Sequence, residues 1–225
     1  MLDTGADFAV VCLHLFLKGK KINYYSQFYE DAIVDGLFRK IGTTNKMLCD
    51  IGASDGTQYS NTKFFMEQPG WDGAFVEPNP HSYNKLTELY NPEKCSRKPI
   101  AGYNTIDGLL EQMSFPRRFD LLDLDIDGQE YYVWSDMVNY RARIVIIEYS
   151  PYVPPTFIPV KGSYGDEGRN QAGLFPMLRL ARNKEYKVVA ITPVNLICVE
   201  GNLLDNWNVF WDGEFPLPIS ARKER

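Results

Sequence analysis

The run Lys46-Met-Leu-Cys-Asp-Ile51, followed by Gly-Ala-Ser-Asp-Gly56, decides how the rest of the chain reads. A short apolar stretch that closes on an acid is the pattern of a buried strand entering a glycine-containing turn. Residues 58–68 then continue as a helix, which Pro69-Gly70 stops. Gly73-Ala-Phe-Val-Glu77 is a second strand, again ending in an acid. Asn79-Pro80 opens a further helix, with Asn as its cap and Pro in the first helical position. Tyr83, Leu86 and Tyr90 share one face of that helix. Strand, turn, helix and strand in this order make a parallel α/β unit.

The alternation extends in both directions. Upstream, residues 26–41 predict an amphipathic helix with Ser26 as N-cap and a stripe of Ile33, Val34, Leu37, Phe38 and Ile41. Gly42 closes it, and Glu30 and Asp31 read as a helix-dipole feature near its positive end. Downstream come a helix at 105–113, a strand at 119–126, a helix at 129–138 and the strongly apolar strand 143–149. After a Pro/Gly-rich segment at 150–170, a helix resumes at 171–184. Strands at 187–192 and 196–199 are joined by so short a link that they form an antiparallel hairpin. The expected fold is therefore α/β, a doubly wound and mostly parallel sheet with a C-terminal antiparallel hairpin.

Composition narrows the function. The chain has 225 residues, enough for one domain with an elaboration. Its 24 basic and 29 acidic residues give a net charge of −5, which disfavours a generic nucleic-acid binder. The four cysteines, Cys12, Cys49, Cys95 and Cys198, are scattered, and His14 and His81 are the only histidines. That is little material for a zinc site, and it fits reduced thiols in a cytoplasmic setting. The apolar run Phe8–Leu17 is too short for a membrane span and reads as a buried or partner-packed helix. Residues 1–25 are accordingly assigned as an N-terminal helical extension, 26–200 as the main domain and 201–225 as a C-terminal extension. The two extensions are where a homo-oligomer or a protein complex would form.

In a doubly wound sheet the ligand binds beyond the C-terminal ends of the strands. Asp50, Gly52 and Gly56 lie there after the first strand, and Glu77 after the second. Asp125 and Asp127 follow the third, and Glu148 the fourth. Glycine lets backbone approach a ligand, and an ionised carboxylate at position 77 can accept from two ribose hydroxyls. An acid at position 50 would repel a pyrophosphate and suits a cationic ligand such as S-adenosylmethionine. Against this stands the simpler reading of Asp50–Gly56 as a tight strand–helix turn. Asp123, Asp125 and Asp127 alternate along one side of a strand, a costly arrangement in a buried sheet. Exit of the strand near Asp125 is the favoured explanation; a bound Mg²⁺, or pairing of Asp123 with Arg117 or Arg118, ranks below it. Tyr131, Tyr132 and Trp134 read as core, and His81 as a helix-start residue at the rim. Residues 150–170, with Tyr152, Phe157 and Tyr164, are the expected substrate-side cover.

Taken together, Ser-Gln-Phe-Tyr-Glu-Asp (26–31), Asp-Ile-Gly-Ala-Ser-Asp-Gly (50–56), Ser-Asn-Thr (60–62), Val-Glu-Pro-Asn-Pro (76–80), Asp-Leu-Asp-Ile-Asp-Gly-Gln-Glu (123–130) and Val-Ile-Ile-Glu-Tyr (145–149) resemble FkbM-type SAM-dependent methyltransferases. The resemblance spans roughly residues 24–200, in the family's order. It implies a Rossmann-like class I methyltransferase fold, with a seven-stranded sheet whose last strand is reversed. It implies S-adenosyl-L-methionine as cofactor and O-methylation of a hydroxyl on a sugar, glycan or other small molecule. By motif, Asp50, Gly52, Ala53, Ser54 and Gly56 line the methionine side, while Glu77 and Pro78 hold the ribose side. Gln27 closes over the cofactor, and Asp125 faces the reacting centre. Asp125 or Asp127 is the expected general base, with Glu148 a weaker choice. A methyltransferase-like fold kept as a catalytically silent subunit is the competing reading. A nicotinamide-dependent oxidoreductase ranks last, because no GxGxxG follows the first strand.

Overall fold

The computed structural model describes residues 23–100, 105–163 and 170–204. Cys12, the Phe8–Leu17 run, Tyr164 and most of both assigned extensions lie outside the described residues. No helix among the described residues is long and apolar enough to cross a membrane.

The elements are α1 (Glu30–Ile41), β1 (Met47–Ile51), α2 (Lys63–Met66), β2 (Asp72–Val76), α3 (Pro80–Leu89), β3 (Cys95–Ser96) and α4 (Ile106–Gln112). They continue with β4 (Arg118–Leu124), α5 (Glu130–Asp136), β5 (Arg141–Glu148), α6 (Leu174–Asn183), β6 (Tyr186–Ile191) and β7 (Asn195–Glu200). One seven-stranded sheet has the order β3-β2-β1-β4-β5-β7-β6. All pairings are parallel except those of β7, which runs antiparallel between β5 and β6. The expected doubly wound sheet and its terminal hairpin are both present.

The central strands are apolar along nearly their whole length because both sheet faces are covered. Alternate residues go to opposite faces. Cys49, Ile51, Leu122, Leu124, Val145 and Ile147 pack in one cluster with Leu110 of α4, Trp134 of α5 and Met177 of α6. Leu48, Phe75, Leu121, Ile144 and Ile146 pack in the other with Leu37 and Phe38 of α1, Phe65 of α2 and Leu86 of α3. Trp134 is thus a core residue, as its spacing predicted.

Several boundaries differ from expectation. The first helix starts at Glu30 rather than Ser26, because Tyr29 takes a left-handed conformation (φ 71°). Ser26 instead forms a parallel bridge with Tyr59. Glu30 and Asp31 are fully buried, which a dipole role alone does not require. Asp31 accepts from the backbone of Tyr25 and Ser26 and from the Ser26 hydroxyl. Glu30 accepts from Phe28 N–H and the Asn195 amide. The helix expected over 58–68 shrinks to α2, because Asn61 and Thr62 turn their side chains to carboxylates of the sheet. The two-residue β3, which local pattern did not reveal, pairs with the end of β2. Gly42 closes α1 as expected, with φ 69° and its N–H on the Phe38 carbonyl oxygen.

Candidate active site

The turn after β1 is built by contact with β4. Gly52 has φ 95°, and a Cβ there would fall 1.6 Å from the Asp125 carbonyl oxygen, so no side chain fits. The N–H groups of Gly52 and Ala53 both donate to the Val76 carbonyl oxygen, tying this turn to the end of β2. Asp125 N–H donates to the Ile51 carbonyl oxygen. The ends of three strands are thereby locked around one point.

Glu77 sits one residue past β2 and is only 8% exposed. Its Oε2 accepts the Ser54 N–H at 2.8 Å and its Oε1 the Asn79 N–H at 2.6 Å. Each carboxylate oxygen has two lone-pair sites, so each keeps one for a ligand. Gly56 does not join this group. Its φ of 73° and the proximity of a Cβ to Leu86 Cδ1, 2.9 Å, place it beneath α3, and it does not line the cleft. Its glycine serves helix packing rather than ligand approach.

Asp50 and Asp123 face each other across the β1–β4 register and are both nearly buried. Asp50 accepts from the Thr62 hydroxyl at 2.5 Å, and Asp123 from the Asn61 amide at 3.1 Å. The pairing of Asp123 with Arg117 or Arg118 is not seen. Arg118 bonds Glu200 at 2.6 Å, and Arg117 lies 3.9 Å from Glu111. Burial pushes Asp50 up to about 7, aided by the charges of Asp125 and Glu77 and opposed by the Thr62 bond. Burial, with Asp50 and Asp125 nearby, also pushes Asp123 well up.

β4 ends at Leu124, so the strand exits just before Asp125, as favoured from sequence. Asp127 is exposed at φ 57°. Carboxylate oxygens of Asp125, Asp127 and Glu148 all lie within 4.8 Å of one another. Glu148, the last residue of β5, accepts from the Gln171 amide. Burial and the neighbouring Asp125 charge push Glu148 up to about 11, so at neutral pH it holds a proton. A hydrogen bond from Glu148 pulls Asp125 down against the larger effect of burial, leaving it at about 6. Of the two, Glu148 is pushed further up, so the proton is favoured on Glu148 over Asp125. Behind it, Glu130 accepts the N–H groups of Ile126 and Gly128 and fixes the loop that carries Asp127. Burial raises Glu130 to about 8.

These residues surround a cleft of about 670 Å³ at the C-terminal ends of β1, β2, β4 and β5. Gln27, Asp50, Gly52, Ala53, Ser54 and Glu77 line it, as do Pro78, Asp125 and Asp127. Gly56 alone of the expected set is missing. Six lining residues are acids, and no Lys, Arg or His is among the described lining residues. Ser60 and Asn61 also line it, although as part of an expected helix they carried no such signal. Their appearance within the Ser-Asn-Thr motif was the available clue.

Two other expectations are settled by position. His81 is exposed on the first turn of α3, at the rim rather than in the lining. The described part of the 150–170 segment does not cover the cleft. Its carbonyls are claimed by α5 and the residue before it: Gln129 Nε2 donates to Val160 and Ser163, and Tyr132 Oη to Pro159. Tyr152 stays 79% exposed. Among its described residues, 150–163 and 170, none is part of the cleft lining.

The acidic cluster has a consequence for stability. Asp50, Asp125 and Glu130 bind protons more tightly folded than unfolded, at about 7, 6 and 8 against ordinary values of 3.8, 3.8 and 4.5. Their favourable balance is complete below the unfolded values and is lost as pH rises through the folded ones. Urea unfolding of the ligand-free protein is therefore expected to show stability declining from about pH 5 to pH 8. A rise over that interval would show that these carboxyls are not protonated as described.

No protein-family model and no curated protein matches the chain. Among solved structures, the chain is similar to a candidate O-methyltransferase from Klebsiella pneumoniae, with a TM-score of 0.52 and 12% identity over 80% of this chain and 83% of that one. It is also similar to an S-adenosylmethionine-dependent methyltransferase from Clostridium acetobutylicum ATCC 824. There the TM-score is 0.50, with 8% identity over 84% of this chain and 97% of that one. The fold is the Rossmann-like α/β fold of SAM-dependent methyltransferases.

Proposed function

We propose that the protein is a SAM-dependent methyltransferase acting on a hydroxyl of a sugar or another small molecule, in the manner of the FkbM-type enzymes its motifs resemble. The observation that carries this reading is the acidic cleft, with Glu77 at the end of β2 and no cation among the described lining residues. A sulfonium and an amino group are positive, and a cleft with no described Lys, Arg or His, in which Asp125 ionises above about pH 6, favours such a ligand. The donor set fits: Glu77 has acceptor capacity for a ribose diol, and the Gly52–Ser54 backbone passes beside it. Pro78, Pro99 and Ile100 add an apolar wall suited to a base.

When bound, S-adenosylmethionine supplies an electrophilic methyl group. The chain's own residues orient the acceptor and remove its proton. Asp125, ionised above about pH 6, takes the hydroxyl proton. Glu148 keeps its proton and donates to Asp125, and the Gln171 amide holds Glu148 in place. Asp127, exposed at the mouth, is the second candidate base. The same Asp125–Asp127–Glu148 group would face a divalent cation, the lesser alternative.

Calorimetric titration with S-adenosylmethionine and S-adenosylhomocysteine tests the pocket. Saturable binding is expected, weakened at least about tenfold in Glu77→Ala through loss of charge-assisted hydrogen bonds. Absence of binding by folded protein would overturn the enzyme reading and favour the silent-subunit one.

A further inference from the structure

The opposite end of the strands carries a second cavity of about 380 Å³, formed where β4, β5 and β6 begin and α6 ends. Its charge is the reverse of the cleft's. Arg117, Arg118, Arg141 and Lys184 line it, with Glu185 as the one carboxylate among the described lining residues.

Internal pairing accounts for only part of this charge. Glu200, whose side chain is 5% exposed, bonds Arg118 Nη2 and Arg141 Nε. A guanidinium has five N–H donors, and these contacts engage Arg118 through a single terminal nitrogen. Arg117 is 3.9 Å from Glu111, a pair mostly in solvent that contributes little. Lys184 donates to the Met137 carbonyl oxygen at 2.7 Å and lies over the Trp134 ring. It is partly buried, and burial together with the Arg141 charge pushes its pKa down. An incoming anion would offset the Arg141 charge and favour the protonated amine. Arg117 is held over Tyr140, with its guanidinium 5.2 Å from the ring centroid, so it is oriented before any ligand arrives.

We propose that this pocket binds a phosphate group, free or as a monoester, with Arg117, Arg118 and Lys184 as donors. Three cations around one cavity suit a dianion with several acceptor oxygens better than a single carboxylate. The cavity also exceeds a lone phosphate in size, and Val138, 76% exposed, offers an apolar ledge for the rest of an ester. The proposal does not depend on the methyl-transfer reading, because the two cavities lie at opposite strand ends.

The full-length protein would be titrated calorimetrically with inorganic phosphate and with phenyl phosphate, at constant ionic strength set by chloride. Saturable binding is expected, weakened at least about tenfold by Arg117→Gln and by Lys184→Met. Should Lys184→Met fold poorly, Arg117, 59% exposed, still carries the test. Tighter binding of phenyl phosphate would support the site and identify an ester; equal affinities would support it and identify the free ion. No saturable binding of either probe, or affinity unmoved by both substitutions, would overturn the proposal.

Discussion

Asp125→Asn is expected to retain S-adenosylmethionine binding while lowering methyl transfer by roughly 10²–10⁴-fold, the usual contribution of a positioned general base. The amide keeps the size of the carboxyl and loses its basicity. Turnover would be read as labelled methyl incorporated into whichever hydroxyl acceptor responds best in a screen. The wild-type rate should rise with pH through about 6, where Asp125 ionises, and level off above it. Glu148→Gln should keep more activity than Glu148→Ala, because an amide can still donate to Asp125. Full activity in Asp125→Asn would transfer the role to Asp127 or end it.

The second large effect lies far from the cleft. Asp120 is fully buried where β4 begins and accepts the N–H groups of Thr44, Asn45 and Lys46 as well as the Thr44 hydroxyl. Arg143 completes the group, bonding Asp120 at 3.0 Å and the Gly42 and Ile41 carbonyl oxygens at 2.5 and 2.9 Å. One carboxylate thus binds the α1–β1 connection to the sheet. Asp120→Ala leaves a buried guanidinium without its counter-charge and three backbone donors without their acceptor. The expected loss is about 3–5 kcal/mol, measured as a lower urea midpoint at unchanged slope. Adding Arg143→Met should recover part of it, since the orphaned charge goes too. A loss below about 1 kcal/mol would mean that water replaces the carboxylate.

Signals that live within a few residues were legible. The apolar runs at β1, β2, β4 and β5 and the Asn79-Pro80 cap set the α/β architecture, because strand burial and helix capping are local chemistry. The acids at strand ends located the cleft for the same reason: strand direction decides which end a residue occupies. The start of α1 is not legible, because Tyr29 adopts a left-handed conformation that nothing in its neighbourhood announces.

Most of the cleft's wall was also present in the sequence as a set of strand-end residues, Asp50, Gly52, Glu77 and Asp125 among them. Tertiary structure alone decided the rest. Thr62 and Asn61 leave a helical pattern because Asp50 and Asp123, 12 and 62 residues away respectively, need donors. Gly56 serves α3 instead of the cleft, and the 150–163 segment settles against α5, because their closest neighbours are remote in the chain. Asp120 and Arg143, 23 residues apart, meet only when β4 and β5 pair. Periodicity records which face of an element is apolar; a buried polar side chain finds its partner in space, and that choice is made by the packed sheet.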